Sequence, residues 1–244
     1  MLGALVGPED EDDLDLETVV RIGDIEEQIS LTIGEFGADI VVMGTHGRRL
    51  VNRLLIGSVT QALLRKLPIP VLTVCHVLRP LSFSRILFAT DFSESSKGGI
   101  NFALELANSM KSDLVVTHVI DKRPPVTYET PEVAALFDTE RLHALDEARS
   151  LFAQIELEGK KGNVKVDTVL AEGLPAEAIV RIADENDVDF IIVSVRKKGP
   201  LERALMGTTA ERLIREAHVP VLLVPAHMGV VTEDSSKIGQ HLAL

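Results

Sequence analysis

Cysteine is almost absent from this sequence, and tryptophan is missing altogether. The single cysteine, Cys75, excludes an internal disulfide, so a reducing cytoplasm is the simplest setting for the chain. The 244 residues include one Tyr and eight Phe, whereas Val, Ile and Leu are abundant. Aliphatic cores of this kind are typical of buried parallel strands.

Long apolar runs and a concentrated basic stripe are also lacking. No apolar run reaches the roughly 18 residues of a membrane-spanning helix. Residues 1–15 turn acidic after a short apolar start, unlike a signal peptide, and are predicted to be a flexible acidic leader. The net charge of −12 repels a phosphate backbone, and the 25 basic residues are scattered, so nucleic acid is not an expected partner.

An internal repeat organises the chain. Shifting the sequence by 150 positions lays residues 16–75 onto residues 166–225 without a gap, and sixteen positions are then identical. They include Thr18/Thr168, Asp39/Asp189, Gly57/Gly207 and the run Pro70-Val71-Leu72 over Pro220-Val221-Leu222. Such a register predicts two copies of one structural unit.

The second copy, residues 84–226, shows the whole unit. Short apolar runs that begin at Arg85, Leu114, Val164, Phe190 and Val221 alternate with segments of helical spacing. This alternation predicts βαβ units, right-handed crossovers and a mostly parallel α/β sheet.

The first copy, residues 16–75, begins in the middle of that unit. Residues 76–83 are predicted to be a linker and residues 227–244 a tail. The first copy is predicted to contain only the last five elements: a strand at Thr18–Ile22, a helix at Ile25–Phe36, a strand at Ile40–Met43, a helix at Ser58–Leu67 and a strand at Val71–Val74.

A glycine-rich loop is the sharpest local feature. Gly44 and Gly47 follow a buried strand. After nine intervening residues, Gly57-Ser58-Val59 opens a helix. Backbone N–H groups and the positive end of a helix dipole hold phosphate in such an arrangement. The spacing is equally compatible with glycines that only turn the chain after the strand.

These motifs resemble the universal stress protein family. The resemblance rests on Asp39-Ile-Val-Val-Met-Gly-Thr-His-Gly, the spacing Gly-x2-Gly-x9-Gly-Ser, the ending Pro70-Val-Leu-Thr-Val and, in the second copy, Ile86-Leu-Phe-Ala-Thr-Asp91 and His118-Val-Ile-Asp. It implies a doubly wound sheet of strand order 3-2-1-4-5, a nucleotide at the carboxyl ends of the strands, and paired domains that meet along their last strands. The glycine spacing implies the ATP-binding branch of the family.

The resemblance divides the implied nucleotide site between the copies. Phosphate-holding positions fall on the first copy, at Gly44, Gly47, Gly57, Ser58 and Val59. Adenine and ribose positions fall on the second copy, at Asp91 and Val119, where only Gly207 and Thr208 keep the phosphate pattern. Ser194 and Lys197 replace the two loop glycines there and are predicted to block the second loop.

Binding of ATP or AMP, with Mg²⁺ as a candidate companion ion, is the leading functional hypothesis. A nucleotide-free dimerisation or scaffold protein and a weak ATPase or self-phosphorylating protein are the alternatives, and no catalytic or metal-ligating residue is assigned. Cys75 and His118 are interpreted as structural residues. A homodimer is expected, because each half of the chain is only partly self-sufficient.

Two structural expectations follow from the incomplete copy. The last strands of the copies, Val71–Val74 and Val221–Val224, are predicted to pair. Thr18–Ile22 is predicted to lack its usual ladder partners, so residues 1–36 are expected to be mobile or to be completed by another chain.

Overall fold

The computed structural model describes residues 16–44, 58–74, 83–121, 131–195 and 207–229. The chain divides into two compact units, residues 1–38 and 39–244. The first unit holds one described helix. The second contains the sheet and every other element given below.

Helix α1, Ile25–Phe36, is the regular element of the first unit in its described part. Asp24 caps it by accepting a hydrogen bond from the Glu27 amide at 3.1 Å, and Gly37 ends it in the left-handed region at φ 59°. Its bounds match the predicted helix.

The predicted strand at Thr18–Ile22 is wrong, because residues 16–24 form neither strand nor helix. The counterpart in the second copy, Val166–Gly173, is a strand because it pairs along its whole length with a neighbouring strand. In the described part of the chain no strand pairs with residues 16–24. Without a ladder partner the backbone gains nothing from an extended conformation, and Ile22 is 97% exposed.

Seven strands in the described ranges form one sheet, in the order β1-β2-β7-β6-β3-β4-β5. They are β1 Val41–Gly44, β2 Val71–Val74, β3 Arg85–Thr90, β4 Asp113–Asp121, β5 Val166–Gly173, β6 Phe190–Val195 and β7 Val221–Pro225. Within the second copy all neighbours are parallel, which confirms the predicted order 3-2-1-4-5.

The two copies meet through β2 and β7, as predicted. These strands pair antiparallel, with Val71 opposite Leu223 and Thr73 opposite Val221. The Thr73 hydroxyl donates to the Val221 carbonyl at 2.9 Å, and Thr73 is buried. Both last strands therefore gain a second neighbour, and one sheet runs through both copies.

Helices cover both faces of the sheet in the second copy. Ile86 and Phe88 of β3 pack with Ile100 and Phe152 from two helices. Leu87 points the other way and is fully buried too. The described helices of this unit are α2 Ser58–Lys66, α3 Glu94–Met110, α4 Pro131–Lys161, α5 Pro175–Glu185, α6 Thr208–Glu216 and the short 3₁₀ helix Ala226–Gly229.

A buried carboxylate fixes the start of β3. Asp189, only 6% exposed, accepts hydrogen bonds from the backbone amides of Ser84 at 2.6 Å and Arg85 at 2.9 Å. Its own amide donates to the Arg85 carbonyl at 2.8 Å. The residue that precedes β6 thus holds the first residues of the neighbouring strand in register.

Helix α3 approaches β6 closely because residue 99 is glycine. A Cβ built on Gly99 would lie 1.9 Å from the Ser194 Oγ and 2.9 Å from a ring carbon of Phe88. The Ser194 Oγ is itself buried, without a hydrogen-bond partner in the described part of the chain. The packing is tight, and it encloses an unsatisfied hydroxyl.

We expect Gly99→Ala to lower the free energy of unfolding by about 1–3 kcal/mol, because the new methyl group overpacks this contact. Ser194→Ala should be neutral or stabilise by up to about 1 kcal/mol, since it removes an unpaired buried oxygen. In the Ser194→Ala background the cost of Gly99→Ala should fall by at least about 0.5 kcal/mol. Urea unfolding of the four proteins measures this cycle, and strictly additive costs would contradict the contact.

The repeated aspartates provide a matched pair. Asp189→Ala should lower the free energy of unfolding by about 2–3 kcal/mol, because two backbone amides lose their acceptor in a buried place. Asp39 is the equivalent residue of the first copy, and it is exposed. Asp39→Ala should therefore change the free energy of unfolding by less than about 0.5 kcal/mol. Thermal and urea unfolding test the difference, and equal costs would be evidence against the role assigned to Asp189.

Candidate functional site

A cleft of about 510 Å³ opens at the carboxyl ends of the parallel strands of the second copy. The ends of β3, β4 and β6 form its floor, and the first turns of α5 and α6 form its walls. It is lined by Ala89, Thr90, Asp91, Ser96, Thr117, Val119, Pro175, Ile179, Val193, Ser194, Val195, Gly207, Thr209 and Ala210. In open α/β sheets, ligands generally bind in a crevice at these carboxyl ends of the strands.

Asp91 is held in place by the turn that leads from β3 into α3. One of its carboxylate oxygens, Oδ1, accepts hydrogen bonds from the Ser93 amide at 3.0 Å and from the hydroxyls of Ser93 and Ser96. Phe92 adopts a positive φ of 55° in this turn. The carboxylate is exposed and borders the cleft from a fixed position.

His118 supports this turn from below. Its Nδ1 donates to the Thr90 carbonyl at 2.8 Å, and its ring lies 4.7 Å from the ring of Phe92. Phe92 in turn contacts Phe152 edge to face. These contacts give His118 a packing role. Among the described residues no three His, Cys, Asp or Glu side chains cluster as metal ligands.

Two helices begin at the cleft. Gly207 precedes α6 with extended backbone, and no described atom lies within 4 Å of the position that its Cβ would take. Thr209 and Ala210 of the first turn of α6 also line the cleft, as do Pro175 and Ile179 of α5. The unpaired amides of a first turn and the positive end of its dipole make this wall favourable for an anion.

The structure brings together three residues that the sequence singled out. Asp91, Val119 and Gly207 line one cleft, although they are up to 116 positions apart, from residue 91 to residue 207. Thr208 begins α6 next to Gly207 and is exposed. Ser194 lines the cleft as well, while its hydroxyl lies against α3.

The first-copy residues that the resemblance implies for phosphate binding are not among the residues that line this cleft. Gly44 is the last residue of β1, which runs parallel to β2 and therefore antiparallel to β7. The carboxyl end of β1 thus points in the direction opposite to the strand ends that surround Asp91. Ser58 and Val59 begin α2. Gly47, Gly57 and Lys197 fall outside the described residues. Among the described residues, Gly44 therefore lies away from the cleft that Asp91 borders.

Several lining residues escaped the sequence analysis. Thr117 lies two residues before Val119 and thus on the same face of β4, and its hydroxyl donates to the Val169 carbonyl at 2.9 Å. Val193 and Val195 share a face of β6 in the same way. The two-residue period of β4 would have indicated Thr117 once Val119 was chosen, whereas no chosen residue pointed to this face of β6. Ser96 and Pro175 carried no comparable signal.

Comparison with known proteins identifies the relatives of the chain. The model of the universal stress protein family matches residues 4–74 and 82–225. The universal stress protein MJ0531 of Methanocaldococcus jannaschii is 30% identical over 146 residues, which cover 58% of this chain and 82% of that protein. No described helix is long and apolar enough to cross a membrane.

Solved structures share the fold. A functionally unknown protein, PA1789, from Pseudomonas aeruginosa superimposes with a TM-score of 0.64 at 19% identity, over 91% of this chain and 73% of that one. A putative universal stress protein from the same species gives 0.63 at 20% identity, over 88% and 74%. Two matched regions that span most of its length show that this chain belongs to the universal stress protein family.

Proposed function

We propose that the cleft of the second copy binds an adenine nucleotide, ATP or AMP, and that the protein acts in stress response or signalling through this binding. The proposal rests on one observation: Asp91, Val119 and Gly207 line the same cleft, at the carboxyl ends of the strands. Open α/β sheets generally bind their ligands at the carboxyl ends of the strands.

The cleft has suitable size and chemistry for such a ligand. Its volume of about 510 Å³ lies within the range of small-molecule sites. Val119, Ile179 and Val193 offer apolar surface for a base, and the fixed Asp91 carboxylate accepts hydrogen bonds from ribose hydroxyls or a base. Gly207 and the first turn of α6 would hold phosphate, with Mg²⁺ as a companion ion.

The lining favours binding over catalysis. Asp91 is the one titratable side chain among the described lining residues, and its Oδ1 already accepts three hydrogen bonds. A general base must be placed to take a proton from the attacking group. This carboxylate is oriented toward its own turn, which supports a non-enzymatic role.

Gly207→Leu tests the nucleotide proposal. The leucine side chain would fill the cleft at the start of α6, and the open space around Gly207 allows it without a clash. We expect at least a tenfold loss of ATP and AMP affinity, equivalent to about 1.4 kcal/mol, in titration calorimetry of the full chain with and without Mg²⁺.

Gly34→Leu is the matched control. Gly34 lies in α1, and a Cβ there also meets no described atom within 4 Å. This variant should bind nucleotide like the unmodified protein. Absence of binding by the unmodified protein, or equal affinity in the Gly207 variant, would argue against the cleft.

We also propose a homodimer. Because β2 and β7 are each paired on both sides within the chain, the dimer interface would lie on other surfaces. Light scattering at micromolar concentration should give twice the chain mass of 26.6 kDa. A monomer at that concentration would be the contrary result.

A further inference from the structure

The floor of the cleft contains a row of three side chains from adjacent strands, and one of them is polar. Thr117 of β4 pairs with Ala89 of β3, and Ala89 pairs with Val193 of β6. Residues that pair across parallel strands point to the same face of the sheet, and all three line the cleft. The Thr117 hydroxyl is therefore the one polar side-chain group in an otherwise aliphatic row.

Thr117 lies at the bottom of the cleft. It is 1% exposed, whereas Val119, two residues further along the same face of β4, is half-buried and lies nearer the opening. Buried polar groups need hydrogen-bond partners, so a ligand group that reaches this depth must match the hydroxyl that it meets.

The proton of the Thr117 hydroxyl is already used within the protein. The hydroxyl donates to the Val169 carbonyl of β5 at 2.9 Å. A threonine hydroxyl has one proton and two acceptor lone pairs, so the Thr117 Oγ1 can only accept a hydrogen bond from a ligand. The Asp91 carboxylate is an acceptor too. The strand ends thus present acceptors, whereas the donors come from backbone amides at the starts of α5 and α6.

Two other hydroxyls near these strand ends face away from the row. Thr90 and Ser194 alternate with the floor residues along β3 and β6, so their side chains point to the opposite face of the sheet. The Ser194 Oγ lies against Gly99 of α3, and the Thr90 hydroxyl accepts from the Phe92 amide at 3.0 Å. Neither hydroxyl supplies a donor to the position that Thr117 occupies.

We propose that Thr117 determines which base the cleft accepts: it selects a base that presents a hydrogen-bond donor to the floor, the 6-amino group of adenine, over the 6-oxo group of hypoxanthine or guanine. This selection rests on the nucleotide function proposed above. A 6-oxo group would place its lone pairs against those of the Thr117 Oγ1 and leave a buried acceptor unpaired, which costs more than a hydrogen bond that is merely absent.

Calorimetric titration of the full chain with AMP, IMP and purine riboside 5′-monophosphate tests the selection, since position 6 of these ligands carries an amino group, an oxo group and a hydrogen. The unmodified chain should bind AMP at least about tenfold more tightly than either of the others. Thr117→Val keeps the side-chain shape and removes the acceptor, so it should weaken AMP binding and bring the three affinities to within about threefold. Thr117→Ser keeps the hydroxyl and should retain the preference for AMP.

Thr73→Val is the matched control. Thr73 is also 1% exposed, and its hydroxyl also donates to the carbonyl of a neighbouring strand at 2.9 Å, but it lies in β2 and does not line the cleft. This variant should lose stability in urea as Thr117→Val does and keep the unmodified preference for AMP. The comparison separates the structural role of such a hydroxyl from its role in selection.

Binding of AMP without preference over IMP by the unmodified chain, or an unchanged preference in Thr117→Val, would overturn the role of Thr117 and leave nucleotide binding in place. Thr117→Ala removes the same oxygen and gives the same measurement if the valine variant does not fold. Failure of the unmodified chain to bind any of the three ligands would instead overturn the nucleotide function, and the selection with it.

Discussion

The antiparallel pairing of β2 with β7 is the contact on which the incomplete first copy depends. Two parallel strands of four residues are too short to form a stable sheet alone. Paired with β7, they extend a five-stranded sheet to seven strands and bury Val71 and Thr73. The first copy therefore owes its ordered strands to its neighbour.

The direction of that pairing also decides where a ligand site forms. The parallel strands of the second copy end at one edge, and the loops from β3, β4 and β6 converge there with the starts of α5 and α6. The antiparallel junction turns the first copy around, so Gly44 lies at the other edge. Gly44 therefore does not share the cleft that Asp91 borders.

Much of this arrangement could be predicted from the sequence. Apolar runs and the repeat give every strand of the second copy, and the resemblance gives their order and the residues Asp91, Val119 and Gly207. The close packing of Gly99 on Ser194 could not be predicted, because it depends on how far α3 lies from β6. The position of the Ser194 hydroxyl against α3 has the same origin, whereas sequence reasoning treated that residue only as an obstruction in a loop.

The failed strand prediction shows why local sequence was insufficient. Thr18-Val19 and Thr168-Val169 are identical pairs at the same repeat position, yet the second pair lies in β5 and the first in no strand. Thr168 faces a partner, Val116 of β4, and its hydroxyl donates to Glu156 of α4 at 2.7 Å. The described residues of the first copy include no counterpart of either element. Strand propensity is the same in both places, so the ladder partner decides whether the extended conformation forms.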